Sequence, residues 1–291
     1  MFRLYSEHVP LDEIDDALLQ QLGIRGVELA LAVFPGTERA MRSVARRARD
    51  AKVSLVFWPL LDDREGRWPN GGNVRQFADH VTRVIDGMPP ATLLFDLEPP
   101  IAWMREAVHW RYTPRPRESG SHAGLATMLR GRGWIVEAVV PPMLLYGSHW
   151  ERWLGTRVSD LACQRVEPMV YSSLFEGYSR GLVPRRVARD LVVRITRRAG
   201  GAVALGVVGG GALGDEPAYR DVDELRDDVG LARAAGATRI SLYSLDGILN
   251  RGELETWLDA FVRTPPRALP SPTRRGGMLE RFATLIGSST R

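Results

Sequence analysis

The 291-residue chain has one cysteine, Cys163. An internal disulfide is therefore impossible, and a disulfide scaffold is excluded. Histidine is scarce as well: His8, His80, His109, His122 and His149 are the whole set, and none pairs with another at helical or loop spacing. With a lone thiol besides, no metal-ligand set is legible, and neither a metal nor a cofactor is expected. Lysine is nearly absent. Lys52 is the only one and arginine carries the rest of the positive charge, a bias of composition before it is a sign of phosphate recognition. Excess charge is small: 39 basic against 35 acidic residues give a formal +4. That balance does not point to a nucleic-acid partner, and none is expected. No apolar run approaches the roughly 18 residues of a membrane helix, so no membrane span is expected. The opening residues, Met-Phe-Arg-Leu-Tyr-Ser-Glu-His, lack the basic-then-apolar order of a secretory leader. The chain as it stands reads as cytoplasmic, or as secreted if an export segment has been removed. A dinucleotide fingerprint is also missing: no G-x-G-x-x-G follows the first apolar run.

What remains is ordinary globular material, 44% hydrophobic and 25% charged. Its order is regular. Short β-rich apolar runs at 2–6, 26–33, 53–60, 91–98, 134–140, 165–171, 202–208 and 238–244 alternate with amphipathic runs at 11–22, 37–51, 74–86, 124–130, 150–161, 184–198, 222–235 and 251–262. Several strand runs are apolar throughout, as strands covered on both faces are. Strict alternation predicts parallel βαβ units, and eight of them predict a closed (β/α)8 TIM barrel over residues 1–263. An open doubly wound sheet is the other arrangement, without its glycine fingerprint. Residues 264–291 read as a proline-rich, flexible C-terminal tail. Within it Met278, Leu279, Phe282, Leu285 and Ile286 fall at helical spacing, which suits docking on the barrel or a partner, or a frayed terminus.

Connections from helix to strand are short and those from strand to helix long: 62–73, 99–123, 141–149, 172–183 and 209–221. In such barrels the latter build the C-terminal face, where active sites lie. The fourth strand ends there in Phe95-Asp96-Leu97-Glu98-Pro99-Pro100. Asp96 and Glu98 are two apart, so they share one face of the strand. Two carboxylates in a partly dry site push each other's pKa apart, leaving one protonated as a general acid. A salt-bridged pair with arginine is the alternative. On the sixth strand Glu167, Met169 and Tyr171 share a face, and Tyr171 is either a site hydroxyl or a satisfied core tyrosine. Glu137, midway along strand five, is a candidate site residue. Glu28 reads as pointing to the helix layer or forming a buried pair, and Asp246 as a turn, a cap or a ligand contact. Glu7, His8, Tyr243 and Ser244 complete the polar strand ends.

Trp58, Trp68, Trp103, Trp110, Trp150 and Trp153 lie at or beyond C-terminal strand ends, with Tyr112, Tyr146 and Tyr178. Flat rings there suit stacking on sugars, or closure of the barrel mouth against water. The glycine-rich stretch from Gly206 to Gly214 suits phosphate binding, flexibility or close substrate approach.

With Asp96-x-Glu98 on strand four and Met169-x-Tyr171 on strand six, the chain resembles the chitinase-like glycoside hydrolases of family 18. The resemblance spans roughly residues 1–263 and rests on few residues. It implies Glu98 as general acid, Asp96 as the carboxylate that orients the substrate's acetamido group, and Tyr171 as its hydrogen-bond partner, in substrate-assisted catalysis. The family's two earlier aspartates fall at Ala91 and Leu94, and the aspartate after its tyrosine is Ser172. Val56-Phe57-Trp58-Pro59 replaces S-x-G-G, and Tyr243 is the aromatic nearest the usual strand-eight tryptophan. The retaining clan with glutamates on strands four and seven fits less well, because 202–208 holds no carboxylate. The expectation is a hydrolase acting on an oligosaccharide or polysaccharide. Trp58, Trp103, Glu137, Met169 and Tyr243 are its expected substrate contacts. The alternatives are a non-catalytic carbohydrate-binding barrel, or a sugar-phosphate isomerase-like enzyme, which would need a metal.

Overall fold

A computed structural model describes residues 1–108 and 120–288. All eight apolar runs are strands: β1 Phe2–Ser6, β2 Val27–Val33, β3 Leu55–Pro59, β4 Thr92–Asp96, β5 Ile135–Val140, β6 Arg165–Val170, β7 Ala202–Gly206 and β8 Arg239–Tyr243. They pair in parallel in chain order and close β8 on β1, giving the predicted (β/α)8 barrel. Around it run α1 Asp16–Ile24, α2 Glu38–Asp50, α3 Val74–Ile85, α4 Ile101–Val108, α5 Ala123–Gly131, α6 Ser148–Leu154, α7 Val158–Leu161, α8 Ser172–Tyr178, α9 Arg185–Arg198, α10 Val222–Ala234, α11 Leu245–Arg251, α12 Leu254–Arg263 and α13 Arg274–Gly287.

Three differences from the sequence pattern have local causes. Helix α1 starts at Asp16 instead of residue 11, because Asp15 caps it by accepting from Leu18 N at 2.7 Å. Two of the long strand-to-helix connections fold into short helices of their own, α4 and α8, and a further short helix, α11, follows β8. Beyond residue 263, 264–273 is irregular, and α13 then packs against α6, α9 and the turn Pro142–Tyr146. Among the described residues no helix is long and apolar enough to cross a membrane.

The period of two sorts each strand between two cores. Leu4, Leu29, Phe57, Leu93 and Val203 face the helices, whereas Tyr5, Ala30, Val56, Trp58, Leu94, Val139, Met169 and Ala204 face the barrel axis. Alanines on β2 and β7 leave the axial volume to Tyr5, Trp58 and Tyr243.

Beneath this layer, at the N-terminal ends of the strands, the interior is ionic. Arg3 Nη2 reaches Glu28 Oε2 at 3.0 Å and Glu137 Oε2 at 2.8 Å, and Arg3 Nη1 lies 3.9 Å from Glu167. Arg239 and Arg165 close on Glu137 at 3.0 and 2.8 Å. Charge is paired throughout this floor, as buried charge must be.

Candidate active site

The C-terminal mouth opens on a cavity of about 500 Å³. Asp96 ends β4. Leu97 N donates to Val139 O at 2.9 Å and prolongs the ladder by one residue, so Glu98 returns to the side of Asp96 and both line the cavity. Pro99 and Pro100 have no N–H to extend the strand. The Pro100 carbonyl instead accepts from Trp103 N at 2.8 Å, which turns the chain into α4 and sets Trp103 in the cavity wall.

Glu7, just past β1, is a third carboxylate of the mouth, and its partners are fixed. Arg67 Nε donates to Oε1 at 2.9 Å, and the Tyr243 hydroxyl donates to Oε2. Asp246 receives the backbone N–H groups of Glu7 and His8, at 3.2 and 2.5 Å. Asp246 therefore shapes the β1 loop as a turn residue.

Asp96 and Glu98 have no such partner. Neither forms an ion pair among the described residues, and Asp96 Oδ1 is buried without a hydrogen bond. Burial raises the Asp96 pKa well above the usual carboxylate range; the negative charge of Glu7 adds to this, and Arg67 and the nearby Trp68 indole N–H oppose it. Burial raises Glu98 in the same way, reinforced by Asp96, Glu216 and Glu7. This is the like-charge, desolvated situation in which a carboxyl stays protonated near neutrality.

Glu216 comes from the glycine-rich connection between β7 and α10. Glu216 N donates to Gly210 O at 2.9 Å, and its Oε1 accepts from Leu213 N at 3.1 Å. The glycines are needed here: a Cβ on Gly210 would meet Gly214 O at 2.3 Å, and Gly211 has φ +65° with a Cβ site 2.1 Å from the Glu216 carboxylate. The loop is thus wrapped around a carboxylate, which takes the place phosphate would need. Burial brings the Glu216 pKa to about 7, with Glu7 and Asp215 adding to it and the Leu213 N–H opposing.

The aromatic lining is ordered. Tyr171 stacks on Tyr243, with centroids 6.0 Å apart and planes 15° from parallel. Trp58 meets Tyr5 edge-on at 5.3 Å and Tyr243 at 6.4 Å. Gly206 makes room for this stack, since a Cβ there would lie 2.9 Å from Tyr243 O and 3.3 Å from the Tyr171 ring. Ser173 Oγ bridges Gly206 O at 3.2 Å and Val207 N at 2.9 Å, fixing the ends of β6 and β7 to each other. Ser172 donates to the buried carboxylate of Asp228, which also accepts from Tyr219 OH at 2.8 Å. The Tyr5 hydroxyl and the indole N–H groups of Trp58 and Trp68 are buried on the lining. Trp68 lies within reach of Asp96 and Tyr5 within reach of Ser241, and polar groups set this way among aromatic rings suit a ligand rich in hydroxyls.

Of the expected site residues, Asp96, Glu98, Tyr171, Trp58, Met169, Tyr243 and Trp103 all line this cavity. Glu137 does not. Its carboxylate sits in the floor, held by Arg3, Arg239 and Arg165, which together keep its pKa low against the opposing effect of burial. Its place midway along β5 lies below the mouth because the cavity begins only at Val139 on that strand. Glu28 is the half-buried partner of Arg3. Trp68, Trp153 and Tyr178 join the lining. Trp150 serves α13 instead, through Nε1 to Ala283 O at 2.8 Å, and Tyr146 lies under Arg198. His109, Trp110 and Tyr112 lie outside the described residues. Among the described residues no group of three or more His, Cys, Asp or Glu is arranged to hold a metal ion. Sequence reasoning missed Glu216, which belongs to no periodic element.

No protein-family model and no curated protein sequence matches the chain. Solved structures do. The glycoside hydrolase domain of PgaB (BpsB) from Bordetella bronchiseptica is 14% identical with a TM-score of 0.55, over 91% of this chain and 99% of that one. A GH18 chitinase from Pseudoalteromonas aurantia is 10% identical with a TM-score of 0.51, over 90% and 99%. GH5_18 from Bifidobacterium longum is 11% identical with a TM-score of 0.56, over 98% and 90%. At such identities the likeness is one of fold: this is a TIM barrel.

Proposed function

We propose that the chain is a glycoside hydrolase acting on an oligosaccharide or polysaccharide, with Glu98 as general acid. One observation carries the reading: a carboxyl with a strongly raised pKa sits beside a second, unpaired carboxyl in an aromatic-lined cavity at the C-terminal mouth. The barrel's likeness to glycoside hydrolases supports the class.

In this reading the substrate is a 2-acetamido sugar. Glu98 gives its proton to the glycosidic oxygen as the bond from that oxygen to the anomeric carbon breaks. The acetamido carbonyl oxygen attacks that carbon. Asp96 Oδ1 accepts the acetamido N–H, and the Tyr171 hydroxyl donates to the carbonyl. Water then adds at the anomeric carbon as the bond from that carbon to the acetamido oxygen breaks, and it returns a proton to Glu98. Trp58, Trp103, Met169 and Tyr243 hold the sugar rings.

Glu216 favours a second reading. It faces the cavity from beyond β7, so the absence of a carboxylate on that strand no longer sets aside a pair made of Glu98 and a strand-seven-side glutamate. Mass spectrometry of defined oligosaccharides, with and without N-acetyl groups, separates the two. Glu98→Gln should lower turnover about 10²–10⁴-fold. Under the first reading, cleavage requires the N-acetyl group and Asp96; under the second, it tolerates loss of the acetyl group and requires Glu216. A Glu98→Gln variant as active as wild type rejects both. If no sugar is cleaved but one protects the protein against heat, the barrel is a carbohydrate binder.

A further inference from the structure

The tail helix α13 is amphipathic in an inverted sense. Four of the apolar residues noticed in its sequence, Met278, Leu279, Phe282 and Leu285, do not dock on the barrel. Its inner face is made of small residues in close contact: a Cβ on Gly276 would lie 2.3 Å from Asp190 Oδ2, and one on Gly287 would lie 2.1 Å from Tyr146 O. Polar anchors fix the rotation of the helix. Thr273 N and Oγ1 donate to Asp190 Oδ2 at 2.8 and 2.7 Å. Arg194 Nη1 donates to Glu280 at 2.8 Å, and Trp150 Nε1 to the Ala283 carbonyl at 2.8 Å. Held this way, the helix turns Met278, Leu279, Phe282 and Leu285 outward, with exposures of 68, 37, 61 and 72%. Leu182, 62% exposed, adjoins them, since its carbonyl accepts from Arg275 at 2.8 Å.

The surroundings are basic. Arg274, Arg275 and Arg281 on α13, Arg186, Arg197 and Arg198 on α9, and nearby Arg180 are all exposed. The acids of these two helices are spent, Asp190 on Thr273 and Glu280 on Arg194. An apolar ridge within an arginine collar is the pattern of a helix that lies in a lipid interface. Self-association fits less well. A two-fold contact would set these arginines against their own copies, and so few apolar side chains fall short of the roughly 1,200 Å² that a stable interface buries.

We propose that α13 seats this protein on an anionic lipid surface, inserting Met278, Phe282 and Leu285 below the headgroups. The helix packs on the turn 142–146 and on α6, whose Met143 and Trp153 line the cavity. This inference is independent of the hydrolase reading.

Co-sedimentation of the full chain with phosphatidylglycerol vesicles and with phosphatidylcholine vesicles tests it. Wild type should partition onto phosphatidylglycerol and not onto phosphatidylcholine. Replacing Phe282→Ser and Leu285→Ser together should weaken partitioning about 100-fold, roughly tenfold for each large side chain withheld from lipid. Both positions are exposed, so melting temperature and circular dichroism should not change. Arg274→Gln with Arg281→Gln should weaken partitioning and reduce its salt dependence. No sedimentation with either vesicle overturns the proposal. So does sedimentation that the Phe282/Leu285 pair does not affect, which would be bulk charge attraction alone. So does a dimer that the same pair abolishes in analytical ultracentrifugation without vesicle binding.

Discussion

Arg67 Nε lies 2.9 Å from Glu7 Oε1, and both side chains are buried at the rim of the cavity. This pair joins the loop after β3 to the loop after β1. It also sets the nearest positive charge acting on Asp96 and Glu98.

Arg67→Met should therefore have two effects. It leaves Glu7 buried without its cation, which costs on the order of 3–5 kcal/mol; Glu7→Gln in the same chain should recover part of that loss. It also removes the charge that pulls the Asp96 and Glu98 pKa values down, so both rise further. If Glu98 is the acid, the alkaline limb of the kcat/KM profile moves to higher pH in Arg67→Met. Chemical denaturation and a pH–rate profile measure the two effects separately.

Glu216 gives a pH dependence of stability. Its carboxyl is raised to about 7 in the folded chain, above the value of about 4.3 in an unfolded one. The folded state thus holds the proton more tightly. The resulting stability is complete below the unfolded value and is lost as pH rises toward 7. Glu216→Gln cannot ionise, so its melting temperature relative to wild type should climb across that window. Calorimetry at both ends of the window checks this. Parallel curves for the two proteins would mean that Glu216 is well solvated in the folded chain.

The barrel was legible because several of its strands are apolar on both faces and its long connections all lie at one end. Asp96 and Glu98 were legible because a period of two survives to the end of β4. Glu216 was not, because only the folded glycine loop brings it ten residues past β7 to the mouth. Glu137 was legible as an interior residue but not in its depth. The level of a strand residue in a barrel depends on the stagger between strands, and here the register sets Glu137 opposite Arg165, at the start of β6. The apolar stripe of α13 was visible too, but not the direction it faces, which its glycines decide.

Glu137→Gln tests the ionic floor. Three arginines hold this buried carboxylate below its usual pKa. Its contribution is present above the unfolded value of about 4.3 and is lost as pH falls through the lower folded value. At neutral pH the substitution should cost about 3–5 kcal/mol, because it leaves Arg3 and Arg239 short of a buried partner. The folded variant should turn over substrate as wild type does. A large loss of kcat at full stability would return Glu137 to the site.

Gly206→Ala probes the stack that carries Tyr171. The added methyl would lie 2.9 Å from the Tyr243 carbonyl oxygen and 3.3 Å from the Tyr171 ring. The carbonyl belongs to the backbone at the end of β8 and has little freedom, so the ring must give way. Overpacking of this kind costs roughly 1–3 kcal/mol, which the barrel can bear. The larger effect should fall on chemistry: a displacement of about 1 Å in a group that orients the reacting amide can cost on the order of 10²-fold in rate. Tyr171→Phe removes the hydroxyl but keeps the ring, so it should lower kcat with little change in stability. Adding it to Gly206→Ala should then have almost no further effect on kcat, since both act through the same hydroxyl. If the two losses multiply instead, Gly206 shapes the cavity by a route other than Tyr171.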